Sequence, residues 1–181
     1  MNVIEAIRNR RTIRKFRQEA VSSDDLMKII DSARYAAYGG NLQPLKFAVL
    51  QNGYEVYPLT RWAAYLPDWE PAEDERPTCY IAILGDTSVK STFEADAGAA
   101  ITNMMLCAEE MGLATCWLGA IDREALAEML GTELPVLYLL AVGYPNQQSK
   151  VCDMKDGSVK YFEDENGVIN VPKRPLKDII L

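Results

Sequence analysis

Between Phe93 and Met111 the sequence runs through Ala95, Ala97, Gly98, Ala99, Ala100, Ile101, Met104, Met105, Leu106 and Ala108, with Gly112 as a stop. At helical spacing these small and apolar residues occupy most faces of one long helix, which therefore has to be buried. A chain of 181 residues can bury about 70% of its unfolded surface, enough for a real core. Wrapping such a helix on every side is harder, so part of its surface is expected to be covered by a second copy in a homodimer.

The other elements follow from periodicity and stop signals. Val3, Ile4 and Ile7 share one face of a short amphipathic helix over Asn2 to Asn9. Ser22 or Ser23 can cap a second helix, with Asp24 and Asp25 in its first turn and an inward stripe of Leu26, Ile29, Ile30 and Ala33, ending near Ala36. Leu45 to Leu50, Tyr80 to Leu84, Thr115 to Leu118 and Val136 to Val142 read as strands. Asp122 caps a helix that runs through Leu130 to Gly131. Residues 51–79 are expected to form a short helix around Val56 to Tyr65 and then a surface loop. Glu165-Asn166-Gly167 marks a hairpin turn in the tail. No linker divides the chain, so residues 1–181 are expected to form one layered domain with a mixed sheet.

Composition removes whole classes of chemistry. The chain has no histidine, which excludes Ser-His-Asp and Cys-His hydrolysis and any His-ligated zinc. The cysteines at 79, 107, 116 and 152 lack the close spacing of a metal knuckle or a CxxC redox pair, so they read as packing residues in a reducing compartment and no metal is expected. A net charge of −7 disfavours nucleic-acid and anionic-membrane partners. The most apolar stretch, Leu134 to Val142, is about half a membrane span and contains Pro135, and nothing resembles a secretory leader, so a cytoplasmic protein is expected.

Against this acidity, six of the ten residues from Arg8 to Arg17 are basic. An extended chain here puts Arg10, Thr12 and Arg14 on one side, a fork of donors that suits a phosphate, and turns Ile13 and Phe16 toward the core. A solvated basic patch at a helix C-terminus is the plainer alternative. Ala37-Tyr38-Gly39-Gly40-Asn41-Leu42-Gln43-Pro44 offers two glycines for close backbone approach and two amides for the edge of a heterocycle, or simply a helix stop and turn. Neither stretch is a dinucleotide or P-loop fingerprint.

Taken together these segments resemble the FMN-dependent nitroreductase family over nearly the whole chain. Arg10-Arg11-Thr12-Ile13-Arg14-Lys15-Phe16 is similar to its RRSxRxF stretch and Gly39-Gly40-Asn41-Leu42-Gln43-Pro44 to its SGGNxQPW loop. Asp96-Ala97-Gly98-Ala99-Ala100 resembles the start of its long dimer helix. Gly112 to Gly119 resembles its GLGTxWxG segment, Val142 to Pro145 its VGYP strand end, and Pro172 to Leu176 its basic finish. The first five of these, in order, are specific where each alone is weak.

The resemblance implies an α+β fold, a three-layer α/β/α sandwich around a central mixed, mainly antiparallel sheet, in a domain-swapped homodimer with two FMN sites at its interface. It implies that Arg10, Arg11, Thr12 and Arg14 hold the FMN phosphate and the pyrimidine side of the ring, joined at the phosphate by Lys173 and Arg174. It places the loop of Tyr38, Gly39, Asn41 and Gln43 against the ring from the other subunit, with Trp117, Leu118 and Gly119 along the opposite edge. It implies hydride transfer from NADH or NADPH and reduction of a nitroaromatic, quinone or related conjugated acceptor in a ping-pong cycle, with the flavin carrying the chemistry and no side-chain acid or base.

Two departures stand out: Tyr38 where the family often has Ser, and Leu45 where it usually has Trp. The compact 51–79 stretch further implies a small lid. Arg61 can reach toward the flavin and Trp62, Tyr65 or Trp69 toward a substrate, although core or surface packing explains these aromatics as well. A same-fold flavin enzyme with different chemistry, such as dehalogenation or oxidation of a bound product, and a flavin-binding protein without turnover are the alternatives.

Overall fold

The computed structural model describes residues 1–62 and 69–181. Helix α1 (Val3–Asn9) begins with a capping box in which the Asn2 side chain accepts from the Glu5 amide and the Glu5 carboxylate accepts from the Asn2 amide. Its apolar face does not enter the protomer core: Val3, Ile4 and Ile7 are 70%, 62% and 56% exposed, and Ala6 is the buried residue. Helix α2 (Ser23–Ala33), capped by Ser22, tightens past Ala33 into turns in which the Arg34, Tyr35 and Ala36 amides donate to carbonyls three residues back, so the helical path ends near Ala36 as its periodicity suggests.

Strands β1 (Leu45–Leu50), β2 (Cys79–Gly85), β3 (Ala114–Leu118) and β4 (Val136–Gly143) form a sheet in the order β1-β2-β4-β3, antiparallel at every pairing. The parallel element of this sheet is the bridge from Thr12 to Thr115 along the outer edge of β3. Alternation along β2 divides the core into two layers. Cys79, Ile81 and Ile83 meet α2 and the long helix α4 (Glu94–Glu110), whereas Tyr80, Ala82 and Leu84 share the opposite cluster with Leu126 of α5 (Arg123–Leu130) and Val56. This is the expected α/β/α sandwich. The thiols of Cys79 and Cys116 lie in these layers, where burial pushes both up to about 11, leaving them protonated packing groups at neutral pH.

Helix α4 spans the expected residues, flanked by Phe93 and Met111, but it is not buried all round. Asp96, Ala97, Ala100, Ile101, Met104, Met105 and Ala108 face the core, while a stripe through Ala95, Gly98, Ala99, Thr102 and Leu106 stays half-buried or exposed.

The expected helix over Val56 to Tyr65 is replaced by a shorter arrangement. Helix α3 (Gly53–Val56) passes into a 3₁₀ turn at Tyr57–Leu59, and the chain then extends so that Thr60 bridges Ile121. The Thr60 hydroxyl ends the helical path by donating to the Tyr57 carbonyl at 2.6 Å, and it accepts from Trp62 Nε1 at 2.7 Å. The remainder of the expected helix, including Tyr65, lies outside the described residues.

Beyond β4 a second, three-stranded sheet forms from β5 (Ser149–Asp153), β6 (Phe162–Glu163) and β7 (Ile169–Lys173) in the order β5-β7-β6. The turn at Glu165-Asn166-Gly167 joins β6 to β7 as a hairpin. The Asp164 carboxylate organises it, accepting from Asn170 Nδ2, the Val168 and Asn166 amides and Lys150 Nζ, which hold its pKa down at about 2. No helix among the described residues is long and apolar enough to cross a membrane.

Candidate functional site

The basic run is extended and clamped on both sides. On one side the Ile13 amide donates to the Thr115 carbonyl of β3 at 3.1 Å. On the other, the Arg17 amide donates to the Tyr144 carbonyl at 2.9 Å, the Asn146 amide to the Lys15 carbonyl at 2.8 Å, and Phe16 bridges Pro145. Ile13 and Phe16 are buried, so the hydrophobic residues of the run fix its path and leave the cations outside the core.

These cations divide by partner. Lys15 pairs with Glu75 at 3.1 Å and Arg17 with Glu19 at 3.1 Å. Among the described residues, Arg10, Arg11 and Arg14 have no carboxylate within 4.0 Å. Arg10 Nη1 lies 3.9 Å from the Met105 sulfur of α4, and Arg11 donates to the backbone carbonyls of Arg8 and Arg10. Arg14 Nη2 donates to the Tyr161 hydroxyl at 3.0 Å, and its guanidinium carbon sits 4.9 Å from that ring's centroid. The Arg14 amide donates to Gln147 Oε1 at 3.0 Å. Arg11 Nε is buried with no hydrogen-bond partner in the described structure. Burial, then the neighbouring Arg10 charge, lower the Arg11 pKa against an opposing effect of Glu109, while burial pushes Glu109 up against the pull of both arginines.

The glycine loop has a backbone built for close approach. Gly40, Asn41 and Gln43 all adopt positive φ, at 58°, 54° and 51°, a conformation that costs a non-glycine residue energy and is held by its surroundings. Just ahead of these residues the loop is anchored by Asp96, 1% exposed at the start of α4. Its carboxylate accepts from the Gly39 amide at 2.8 Å and from Lys90 Nζ at 2.5 Å. Burial alone would raise the Asp96 pKa, but these two partners outweigh it and the net shift is downward. Tyr38 turns inward, its hydroxyl donating to the Ala33 carbonyl at 3.0 Å, and burial raises its pKa. Asn41 and Gln43 remain exposed.

On β3 the residues split by face. Trp117 is 38% exposed on the α4 side, in edge contact with Tyr138 at 5.2 Å. A Cβ added to Gly98 would meet the Trp117 ring at 3.9 Å. Leu118 points into the opposite core layer, so only its backbone is available beside Trp117. Gly119 is exposed, and its carbonyl accepts from Arg123 Nη2 at 3.0 Å.

The structure thus brings the Arg10 to Arg14 strip alongside the β3 edge that carries Trp117. It does not unite every residue of the expected site within one protomer. Arg11 lines a cavity of about 590 Å³ with Glu109, Gln147 and Gln148 and with Gly112, Leu113 and Ala114 at the start of the Trp117 segment, but Trp117, Leu118, Gly119 and the glycine loop are not in its lining. Lys173 and Arg174 are exposed at the end of β7, where the Lys173 carbonyl accepts from the Met154 amide, and within the protomer their side chains do not bond to Arg10, Arg11 or Arg14. Arg61 is exposed, its amide donating to the Ala120 carbonyl just past Gly119. Trp62 is committed to packing, stacked on Tyr57 at 5.9 Å. Sequence reasoning missed Tyr161, Gln147 and Met105 as partners of the arginines. Asp96 was visible in a motif, but nothing in its spacing signalled that it anchors Gly39.

This geometry defines a class: an α/β/α sandwich carrying an arginine strip, uncompensated by paired carboxylates, along one sheet edge. Comparison with known proteins makes the class particular. The Nitroreductase family model matches residues 7–80 and 75–144, and the chain belongs to that family. It is 26% identical over 166 residues to a candidate NADH dehydrogenase/NAD(P)H nitroreductase of Archaeoglobus fulgidus, covering 84% of this chain and 91% of the relative. It is 27% identical over 164 residues to an FMN reductase (NADPH) of Bacillus subtilis, covering 80% of this chain and 66% of that protein. A candidate nitroreductase of Desulfovibrio desulfuricans, solved in complex with FMN, superposes with a TM-score of 0.74 at 25% identity, covering 100% of this chain and 96% of the other.

Proposed function

We propose that this chain is an FMN-dependent NAD(P)H oxidoreductase that reduces a nitroaromatic, quinone or related conjugated acceptor by a ping-pong mechanism, as one domain over residues 1–181 in a domain-swapped homodimer. The observation that carries the reading is the charge arrangement of the basic run, in which Lys15 and Arg17 are paired while Arg10, Arg11 and Arg14 are held by a sulfur, carbonyls and a phenol. Neutral partners fix these guanidinium groups without cancelling the charge that a phosphate needs. The orphaned Arg11 Nε adds a buried donor.

Bound FMN supplies the hydride and electron transfer, and the protein's residues hold and orient it. Arg10, Arg11, Thr12 and Arg14 bind its phosphate and pyrimidine side, with Lys173 and Arg174 reaching the phosphate in the assembled dimer. With FMN bound, the charge of these arginines would lie beside the pyrimidine and would favour a ring that takes up electrons. The Tyr38, Gly39, Asn41 and Gln43 loop of the partner subunit packs against the ring, with the loop backbone set by Asp96. Trp117, Leu118 and Gly119 border the opposite edge, and the absence of histidine costs nothing in chemistry that needs no side-chain base. The exposed apolar residues of α1, the open stripe of α4 and the exposed tail residues Leu176, Ile179 and Ile180 support the homodimer.

The test is a visible spectrum of the purified protein, taken anaerobically before and after NADH and then NADPH. The expected result is a flavin spectrum bleached by at least one donor. Protein that neither carries nor takes up FMN overturns the reading. Yellow protein unmoved by both donors removes the nicotinamide step and turns the assignment to a flavin-binding protein.

A further inference from the structure

We infer that Tyr161 is a positioning residue of the flavin site, a neutral latch that fixes the Arg14 guanidinium while leaving its charge free for the cofactor. The inference rests on the functional reading above and deepens it. Arg14 is gripped by residues that follow β4, through Tyr161 at its side chain and Gln147 at its amide. The phenol engages the guanidinium twice, as acceptor at 3.0 Å and through its ring face at 4.9 Å from the guanidinium carbon. Both contacts are made by one neutral group. A guanidinium has five N–H donors, and the hydroxyl takes one of them. The remaining donors stay available for a bound anion.

The contrast within the run gives the arrangement its meaning. Lys15, one residue away on the other side of the extended run, is paired with Glu75. At Arg14 the chain instead uses a phenol and an amide. A carboxylate there would hold the side chain equally well and spend its charge; the phenol holds it and spends nothing. Tyr161 is itself placed by rigid structure, since it immediately precedes β6, whose hairpin with β7 is closed by the four donors to Asp164. The second sheet therefore has a use beyond covering surface: it carries the latch to the arginine.

The test compares wild type, Tyr161→Phe, Tyr161→Ala and Arg14→Gln as purified holoproteins, with FMN affinity read from flavin fluorescence released on dilution and midpoint potential read by dye equilibration. Tyr161→Phe removes the hydroxyl and keeps the ring, and should weaken FMN binding about fivefold, while Tyr161→Ala should weaken it about thirtyfold or more. The potential of both should move negative, a change that loosened packing remote from the ring would not produce. In an Arg14→Gln background, Tyr161→Phe should have no further effect, because the two residues act as one unit. Wild-type affinity and potential in both tyrosine variants, or additive losses in the double variant, would overturn the latch while leaving the functional reading intact. Wild-type protein unable to bind FMN overturns that reading and the latch with it.

Discussion

The Asp96 carboxylate, buried at the start of the longest helix, is the residue on which the glycine loop depends. It satisfies the Gly39 amide and neutralises Lys90, so its removal orphans a backbone donor and a cation together. Asp96→Ala should lower stability by about 1.5–3 kcal/mol in urea unfolding and loosen the residues that follow Gly39. The pH dependence has a definite sign. Because the folded pKa of Asp96 is depressed, its contribution is fully present above the ordinary carboxylate value and is lost as pH falls through the folded value. Between pH 5 and pH 2 the wild type should therefore lose more stability than Asp96→Asn, and parallel melting curves for the two would contradict this. At the arginines the expectation concerns binding instead. Arg10→Ala combined with Arg14→Ala removes two charge-assisted contacts of about 1.5–3 kcal/mol each and should yield protein purified without FMN. A full flavin complement in that variant would refute the phosphate assignment.

At the scale of elements, periodic signals read well and local competition did not. The strands and helix α4 were legible because their alternation and 3.6-residue stripes report burial directly. Helix α3 was misread because the apolar spacing around Val56 and Leu59 continues past the point where the Thr60 hydroxyl captures the Tyr57 carbonyl and the chain turns to bridge Ile121. No periodicity encodes a side chain's choice of a tertiary partner. The basic strip was legible for a different reason: Ile13 and Phe16 punctuate the cations at core spacing, and both are buried. What holds Arg14 was not legible, since Tyr161 lies 147 residues away and meets it only through the second sheet. Phe16 ties that strip to the rest of the molecule, as it is fully buried and its ring lies 2.9 Å from where a Cβ on Gly143 would stand. Phe16→Ala should cost about 3–5 kcal/mol in chemical denaturation and release the segment that carries Arg14. Gly143→Ala should force the ring aside and destabilise the fold by about 1–3 kcal/mol.

For the molecule as a whole, the surface left open by one protomer argues for its partner. Helix α1 lies against α4, and its capping box and periodicity mark it as an amphipathic helix, yet its apolar face points outward. Val3, Ile4 and Ile7 are already partly covered, so leaving the rest of each in water forgoes roughly 1–2 kcal/mol for each side chain that a partner could bury. The open stripe of α4 and the exposed Leu176, Ile179 and Ile180 lengthen the list of apolar groups without cover. Stable interfaces remove about 800 Å² per partner from water, and a two-fold arrangement lets one such patch serve both chains. Because the proposed flavin site draws its glycine loop from the second subunit, assembly and cofactor binding should be linked. Ile4→Glu with Ile7→Glu places two charges in the contact while leaving the protomer core untouched, so light scattering should change from a dimeric to a monomeric mass and FMN content should fall with it. A monomeric variant that keeps its FMN would show that each site is complete within one chain, and an unchanged dimer would move the interface away from α1.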